Sequence, residues 1–295
     1  MSEPLVDRHF LEKLERLTLH WQKSFNGLVG GHNESLFAGP GQEFLDHRNF
    51  HAGDDLRAVN WRAYMRFEKF FLKTFQVEPR VPVRLLLDIS LSMKAGAADG
   101  QVSKFDYARQ LAAALIYIGL LRLDSILIQP FAARLIEPFL CTGGRHRFQP
   151  AEHYLRALRV DRETSFHELA RHYLNTYPQR GLAIVISDFL DDHDVCRPLQ
   201  YLADFGHELL LIQLWTEQDR IPEEGEIELT DSETGRHALV SVDEEARRRY
   251  TRAFDAYSEE LRKLAMRNGG RYVGLCTQIP VEEAIFGPLT MAEAS

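Results

Sequence analysis

The stretch Leu85–Met93 reads LLLDISLSM, an apolar run that ends in a carboxylate and continues with hydroxyls at every second position. Side chains two residues apart in extended backbone point the same way, so Asp88, Ser90 and Ser92 converge on one point. Oxygen donors carrying a single negative charge suit a hard divalent cation, Mg²⁺ or Mn²⁺, that keeps some of its waters. Three donors fall short of the roughly six oxygens of an octahedral ion. Two further candidates stand at places where other strands run out. Asp188 closes the apolar run LAIVISD, and Thr164, in RETSFHEL, precedes a helical pattern. Thr164 has two readings, a helix N-cap or a hydroxyl facing the same crevice. Taken singly, Ser90, Ser92 and Asp188 also read as turn residues. Three loops in this order make a stronger case than any one of them.

These residues need a scaffold that brings strand ends together. From residue 81 the chain alternates between near-continuous apolar strands and amphipathic helices. VPVRLLLDIS reads as a strand, and Ser103 caps a helix over KFDYARQLAAALIYIGLLRL. SILIQPFA and RLIEPFL form a strand pair, QPAEHYLRALR and SFHELARHYLNTY are helical, and GLAIVISDFL is a second buried strand. VCRPLQYLADF is a helix capped by Asp194, and HELLLIQLW is a third strand. EIELTDSETGRHALVSV is a hairpin excursion, within residues 222–242, turning around Asp231–Gly235. A long charged helix from DEEARRRY, the strand RYVGLC and a closing helix from about Val281 complete the chain. This pattern predicts an α/β fold, a doubly wound and mostly parallel sheet with helices on both faces. In such a sheet ligands bind beyond the carboxyl ends of the strands, where the strand order reverses.

Residues 81–295 therefore form the main domain, and residues 1–80 an N-terminal extension that packs on it. Phe10, Leu11, Leu14, Leu17 and Leu19 give the extension a helix, which Gly27, Gly30 and Gly31 stop. Residues 39–78, rich in aromatics and in both charge signs, read as one or two strands with a turn at Gly53–Asp54.

A net charge of −8, with acidic residues spread along the chain, argues against a protein that grips nucleic-acid phosphates. Three widely spaced cysteines, Cys141, Cys196 and Cys276, form no CxxC pair and fit a reducing compartment. The opening MSEPLVDRHF lacks the basic and apolar regions of a leader, and no window approaches ~18 apolar residues. A cytoplasmic protein without a membrane span is expected.

DISLSM, followed by Thr164 and then Asp188, resembles the metal-ion-dependent adhesion site of von Willebrand factor A domains, DxSxS…T…D. The strand and helix order from residue 81 to about 277 is similar to theirs. The resemblance implies that Ser90 and Ser92 ligate the metal directly, that Thr164 completes the set, and that Asp88 and Asp188 bind directly or through water. It further implies that an acidic side chain of a partner protein fills the open position, so that the metal joins two proteins. Glycines usual before the threonine and after the last aspartate are here Glu163 and Phe189, which leaves Thr164 and Ser165 both open as the second-loop ligand.

Upstream, RNFHAGDDLRAVNWRAYMRFEKFFLKTF resembles the signature of the bacterial domain-of-unknown-function family 58. The matching residues are Arg48, Phe50, Gly53, Asp54, Arg57, Val59, Trp61 and Arg66, with Asn60 where aspartate is more usual. Membership implies association with MoxR-type AAA+ ATPases. The expected function is a non-enzymatic, metal-dependent protein-binding module, an adaptor or co-chaperone to such an ATPase. The alternative is a metal-dependent phosphate-ester hydrolase with Asp88 as nucleophile. DISLS lacks the second aspartate of the haloacid-dehalogenase pattern DxDx[TV], which would protonate the leaving group.

Overall fold

The computed structural model describes residues 4–21, 43–49, 64–65, 71–76, 82–96, 102–122, 124–161, 163–177, 179–230 and 237–291. The Gly53–Asp54 and Asp231–Gly235 turns lie outside the described residues, as do Phe50, Arg57, Val59, Trp61 and Arg66. The chain divides into two compact units, Met1–Val29 with Val81–Ser295, and Gly30–Arg80. In the smaller unit β1 (Glu43–Asn49) pairs antiparallel with β2 (Phe71–Gln76).

The larger unit is built on a sheet of six strands. These are β3 (Pro82–Asp88), β4 (Ser125–Phe131), β5 (Phe139–Cys141), β6 (Leu182–Ser187), β7 (Glu208–Trp215) and β10 (Arg271–Cys276). Their order is β10-β7-β6-β3-β4-β5, parallel throughout except for β5, which runs antiparallel at one edge. A second hairpin, β8 (Gly225–Thr230) with β9 (His237–Val242), stands apart from the sheet, where the turn signals place it.

Strand periodicity sorts the core into two layers. Leu85, Leu87, Ile184 and Ile186 enter one hydrophobic cluster, while Leu86, Ala183 and Val185 enter the other. The first layer is covered by α1 (Arg8–Trp21), α2 (Lys104–Leu121), α3 (Phe148–Ala157), α8 (Val281–Phe286) and α9 (Pro288–Met291). The second is covered by α4 (Phe166–Thr176), α5 (Cys196–Asp204) and α7 (Glu244–Arg267). A short helix, α6 (Glu217–Arg220), follows β7.

The N-terminal helix is part of this unit. Val6, Phe10 and Leu14 are buried in the first core layer. Tyr117 Oη donates to Glu15 at 2.6 Å, and the Leu5 N–H donates to Glu152 at 2.7 Å. Gly181 shows how closely the strands begin together: a Cβ there would collide with the carbonyl oxygen of Pro82. Asp194 differs from expectation by one position. It accepts the Cys196 N–H at 2.9 Å, and Val195 occupies the N-cap of α5 without a side-chain bond.

Candidate metal-binding site

The strand order places the crevice. The chain passes from β3 to β4 on one side and returns to β6 on the other, so the order reverses at β3. Asp88 is the last residue of β3 and Asp188 directly follows β6, its parallel neighbour. Both carboxylates thus lie at the switch point, at the carboxyl ends of the two innermost strands.

Hydrogen bonds tie the three loops to one carboxylate. Asp88 Oδ1 accepts the Ser90 N–H at 2.9 Å and the Thr164 hydroxyl at 3.3 Å. Asp88 Oδ2 accepts the Ser187 hydroxyl. The Ser90 and Ser92 hydroxyl oxygens are 3.0 Å apart. That is the separation of adjacent ligands in an octahedron with bonds of about 2.1 Å, and it is also hydrogen-bonding distance. Asp88 and Ser90 are wholly buried, and Thr164 and Asp188 are buried as well. Burial first, and then the neighbouring Asp188 carboxylate, push the Asp88 carboxyl up to about 7, against the hydrogen bonds from Ser187 and Ser90.

The two readings of Thr164 separate cleanly. Ser165 is the N-cap of α4, its hydroxyl accepting the Glu168 N–H at 3.3 Å. Thr164, one residue earlier, donates to Asp88 Oδ1 instead. The loop between them and the sheet is anchored by backbone: the Asp161 N–H donates to Ile89 O at 2.7 Å and the Ser165 N–H to Ala132 O at 3.3 Å. Asp191 accepts the Phe166 N–H at 2.9 Å, joining the second loop to the third.

Three neighbours of the site escape a reading by spacing. Ser187 sits at the end of β6, one position before Asp188, and bonds both Asp88 and the Phe189 N–H. Lys104 is almost wholly buried, with Nζ 2.7 Å from Asp188 Oδ2 and 3.2 Å from Asp219 Oδ2. Burial opposes the charge on Lys104, yet Asp188 and Asp219 more than offset it and hold the ammonium above its usual range. Asp219 belongs to the capping box of α6 with Thr216. One signal for Lys104 was present. It is the first residue of α2, where the helix dipole disfavours a cation, which favours an acidic partner nearby.

The candidate donors that the strand ends gather are three hydroxyls, Ser90, Ser92 and Thr164, with two carboxylates, Asp88 and Asp188. All are oxygen, and among the described residues no three His, Cys, Asp or Glu side chains gather as a competing metal cage. Such a set fits a small hard ion that keeps waters and excludes the soft-metal alternatives.

A family model, described as protein of unknown function DUF58, matches residues 46–260. The chain belongs to the DUF58 family. An uncharacterized protein of Mycobacterium tuberculosis (strain ATCC 25618 / H37Rv) is 26% identical to this DUF58 chain over 274 residues, 90% of this chain and 84% of that one. Similar solved structures include the conserved hypothetical protein BatB from Bacteroides thetaiotaomicron, at 20% identity and TM-score 0.46, covering 73% of this chain and 100% of that one. An aerotolerance-related membrane protein from Bacteroides fragilis matches at 16% identity and TM-score 0.48, over 73% and 100% of the two chains. The SpRpn10 VWA domain matches at 13% identity and TM-score 0.36, over 68% and 96%. The sheet of this DUF58 chain is six-stranded, doubly wound and mostly parallel. No helix among its described residues is long and apolar enough to cross a membrane.

Proposed function

We propose that this DUF58 protein is a metal-dependent protein–protein interaction module without catalytic activity at the crevice. The observation that carries this reading is the convergence of Ser90, Ser92, Thr164, Asp88 and Asp188 at the switch point of the sheet. Ser90, Ser92 and Thr164 would hold Mg²⁺ or Mn²⁺ together with Asp88 and Asp188. When bound, the ion offers a coordination position to a carboxylate of another protein. The chain's own residues do the rest. Ser187 and the Ser90 N–H orient Asp88, and the paired backbone bonds of Ile89 and Ala132 hold the second loop in place. Leu190, whose N–H donates to Asp188, exposes its side chain beside the crevice and offers a partner apolar contact.

The surroundings of Asp88 speak against the hydrolase alternative. Both its oxygens accept hydrogen bonds, from Ser90, Thr164 and Ser187, which commits the carboxylate to holding the loops together rather than to attack on a phosphate. The partner suggested by the family resemblance is a MoxR-type AAA+ ATPase or its client, with this protein as adaptor or co-chaperone in the cytoplasm. The net charge of −8 leaves nucleic acid an unsuitable partner.

Electron paramagnetic resonance of Mn²⁺ titrated into the purified chain tests the metal. One ion per chain is expected for the wild type, and none at this site in the Ser90→Ala, Ser92→Ala variant. Equal binding by a folded variant would refute the assignment.

A further inference from the structure

The ion pair inside the crevice goes beyond the expected adhesion-site chemistry. Lys104 lies in the first turn of α2 with its side chain about 1% exposed. Its ammonium reaches two carboxylates on two different loops, Asp188 after β6 and Asp219 on α6. Both oxygens of Asp188 already have a donor: Oδ2 accepts from Lys104, and Oδ1 accepts the Leu190 N–H at 3.1 Å. A divalent ion that recruits Asp188 therefore meets an ammonium already on that carboxylate, and the two cations repel.

Asp219 resolves the conflict. It is held in place independently of Lys104, because its Oδ2 also accepts the Thr216 N–H at 2.8 Å within the capping box of α6. A buried ammonium stripped of every partner would be costly. With Asp219 fixed beside it, Lys104 keeps one carboxylate when Asp188 turns to a metal. We infer that Lys104 is a built-in counter-cation competing with the divalent ion for Asp188, and that Asp219 is the anchor to which it withdraws. This inference rests on the metal-binding reading above. It assigns Lys104 and Asp219, neither of them a metal ligand, the task of setting how tightly the ion binds. It also ties the loop after β7 to the state of the crevice, since Asp219 sits on that loop's helix.

The two residues have opposite predicted effects, which a merely structural role would not produce. Calorimetric titration of Mn²⁺ into the purified full chain reads them out. Lys104→Met removes the competing charge and is expected to tighten binding about tenfold or more, and Lys104→Arg to return it toward the wild type. Asp219→Asn leaves Lys104 held by Asp188 alone and is expected to weaken binding about tenfold. In the Lys104→Met background, Asp219→Asn should lose most of its effect, because the two act as one unit. Unchanged or weaker binding in Lys104→Met, or an Asp219→Asn effect that persists in full without Lys104, overturns the inference.

If Lys104→Met does not fold in chelator, Asp219→Asn decides alone, and binding equal to or tighter than wild type overturns the inference. No Mn²⁺ binding in the wild type or in folded Lys104→Met sinks the metal reading itself, and the inference falls with it. Binding by Lys104→Met but not by the wild type supports the inference in its strongest form.

Discussion

The ring of Phe189 stacks on that of Phe166, with centroids 5.5 Å apart and planes 19° from parallel, while the Phe189 backbone holds φ at 58°. Phe189 follows Asp188 in the third loop and Phe166 begins α4 just after Thr164, so the stack clamps two of the three loops of the crevice. Phe131, at the end of β4, adds an edge-on contact to Phe166 at 5.3 Å. The Phe189 carbonyl oxygen accepts a hydrogen bond from Tyr257 of α7 at 2.6 Å.

The left-handed backbone at Phe189 sets a test of magnitudes. Glycine would relieve about 1–2 kcal/mol of backbone strain. Losing a buried phenylalanine side chain costs about 3–5 kcal/mol even when alanine replaces it. Phe189→Gly is therefore expected to destabilise the protein by roughly 1–4 kcal/mol, read as a fall in the urea midpoint. A more stable Phe189→Gly variant would show that the strain, not the stack, dominates.

Leu14 is wholly buried in the core layer that α1 shares with α2 and α8. Leu14→Ala should cost about 2–5 kcal/mol in global unfolding. A change near zero would mean that α1 is an ornament on the domain and not part of its core.

Glu208 opens β7, and burial raises its carboxyl to about 7, with Arg271 pulling the other way. The folded chain therefore binds this proton more tightly than the unfolded chain does. Its contribution favours the fold most below the unfolded value near 4.5, fades as pH rises toward 7 and is flat above that. Glu208→Gln should leave stability near pH 4 almost unchanged. At pH 8 it should raise stability by on the order of 2 kcal/mol. Chemical denaturation at both pH values checks the sign, and an equal effect at the two would contradict it.

Much of this was legible from residue types. The alternation of apolar strands and helices foretold the parallel sheet, and an aspartate at the end of β3 with a second after β6 foretold where the crevice opens. Which of Thr164 and Ser165 caps α4 was not legible, because either hydroxyl can cap a helix. It is decided by the backbone of one loop, which hands the cap to Ser165. Lys104 and Asp219 were harder still. They lie 115 positions apart and meet only because the end of β7 comes round to the start of α2. Ordinary strand alternation would set Ser187 and Asp188 on opposite sides. Here β6 ends between them, and Ser187 reaches Asp88 while Asp188 reaches Lys104.

If the hydroxyl cluster holds an ion that another protein completes, capture of that protein depends on the ion. The most direct measurement is affinity capture on the purified chain, from native lysate, with AAA+ ATPases quantified by mass spectrometry. It compares Mg²⁺ with chelator, and the wild type with the Ser90→Ala, Ser92→Ala variant. A MoxR-type ATPase or its client is expected to be retained only by the wild type in Mg²⁺. Equal retention in chelator and by the folded variant would contradict it, and would move the binding surface away from the crevice.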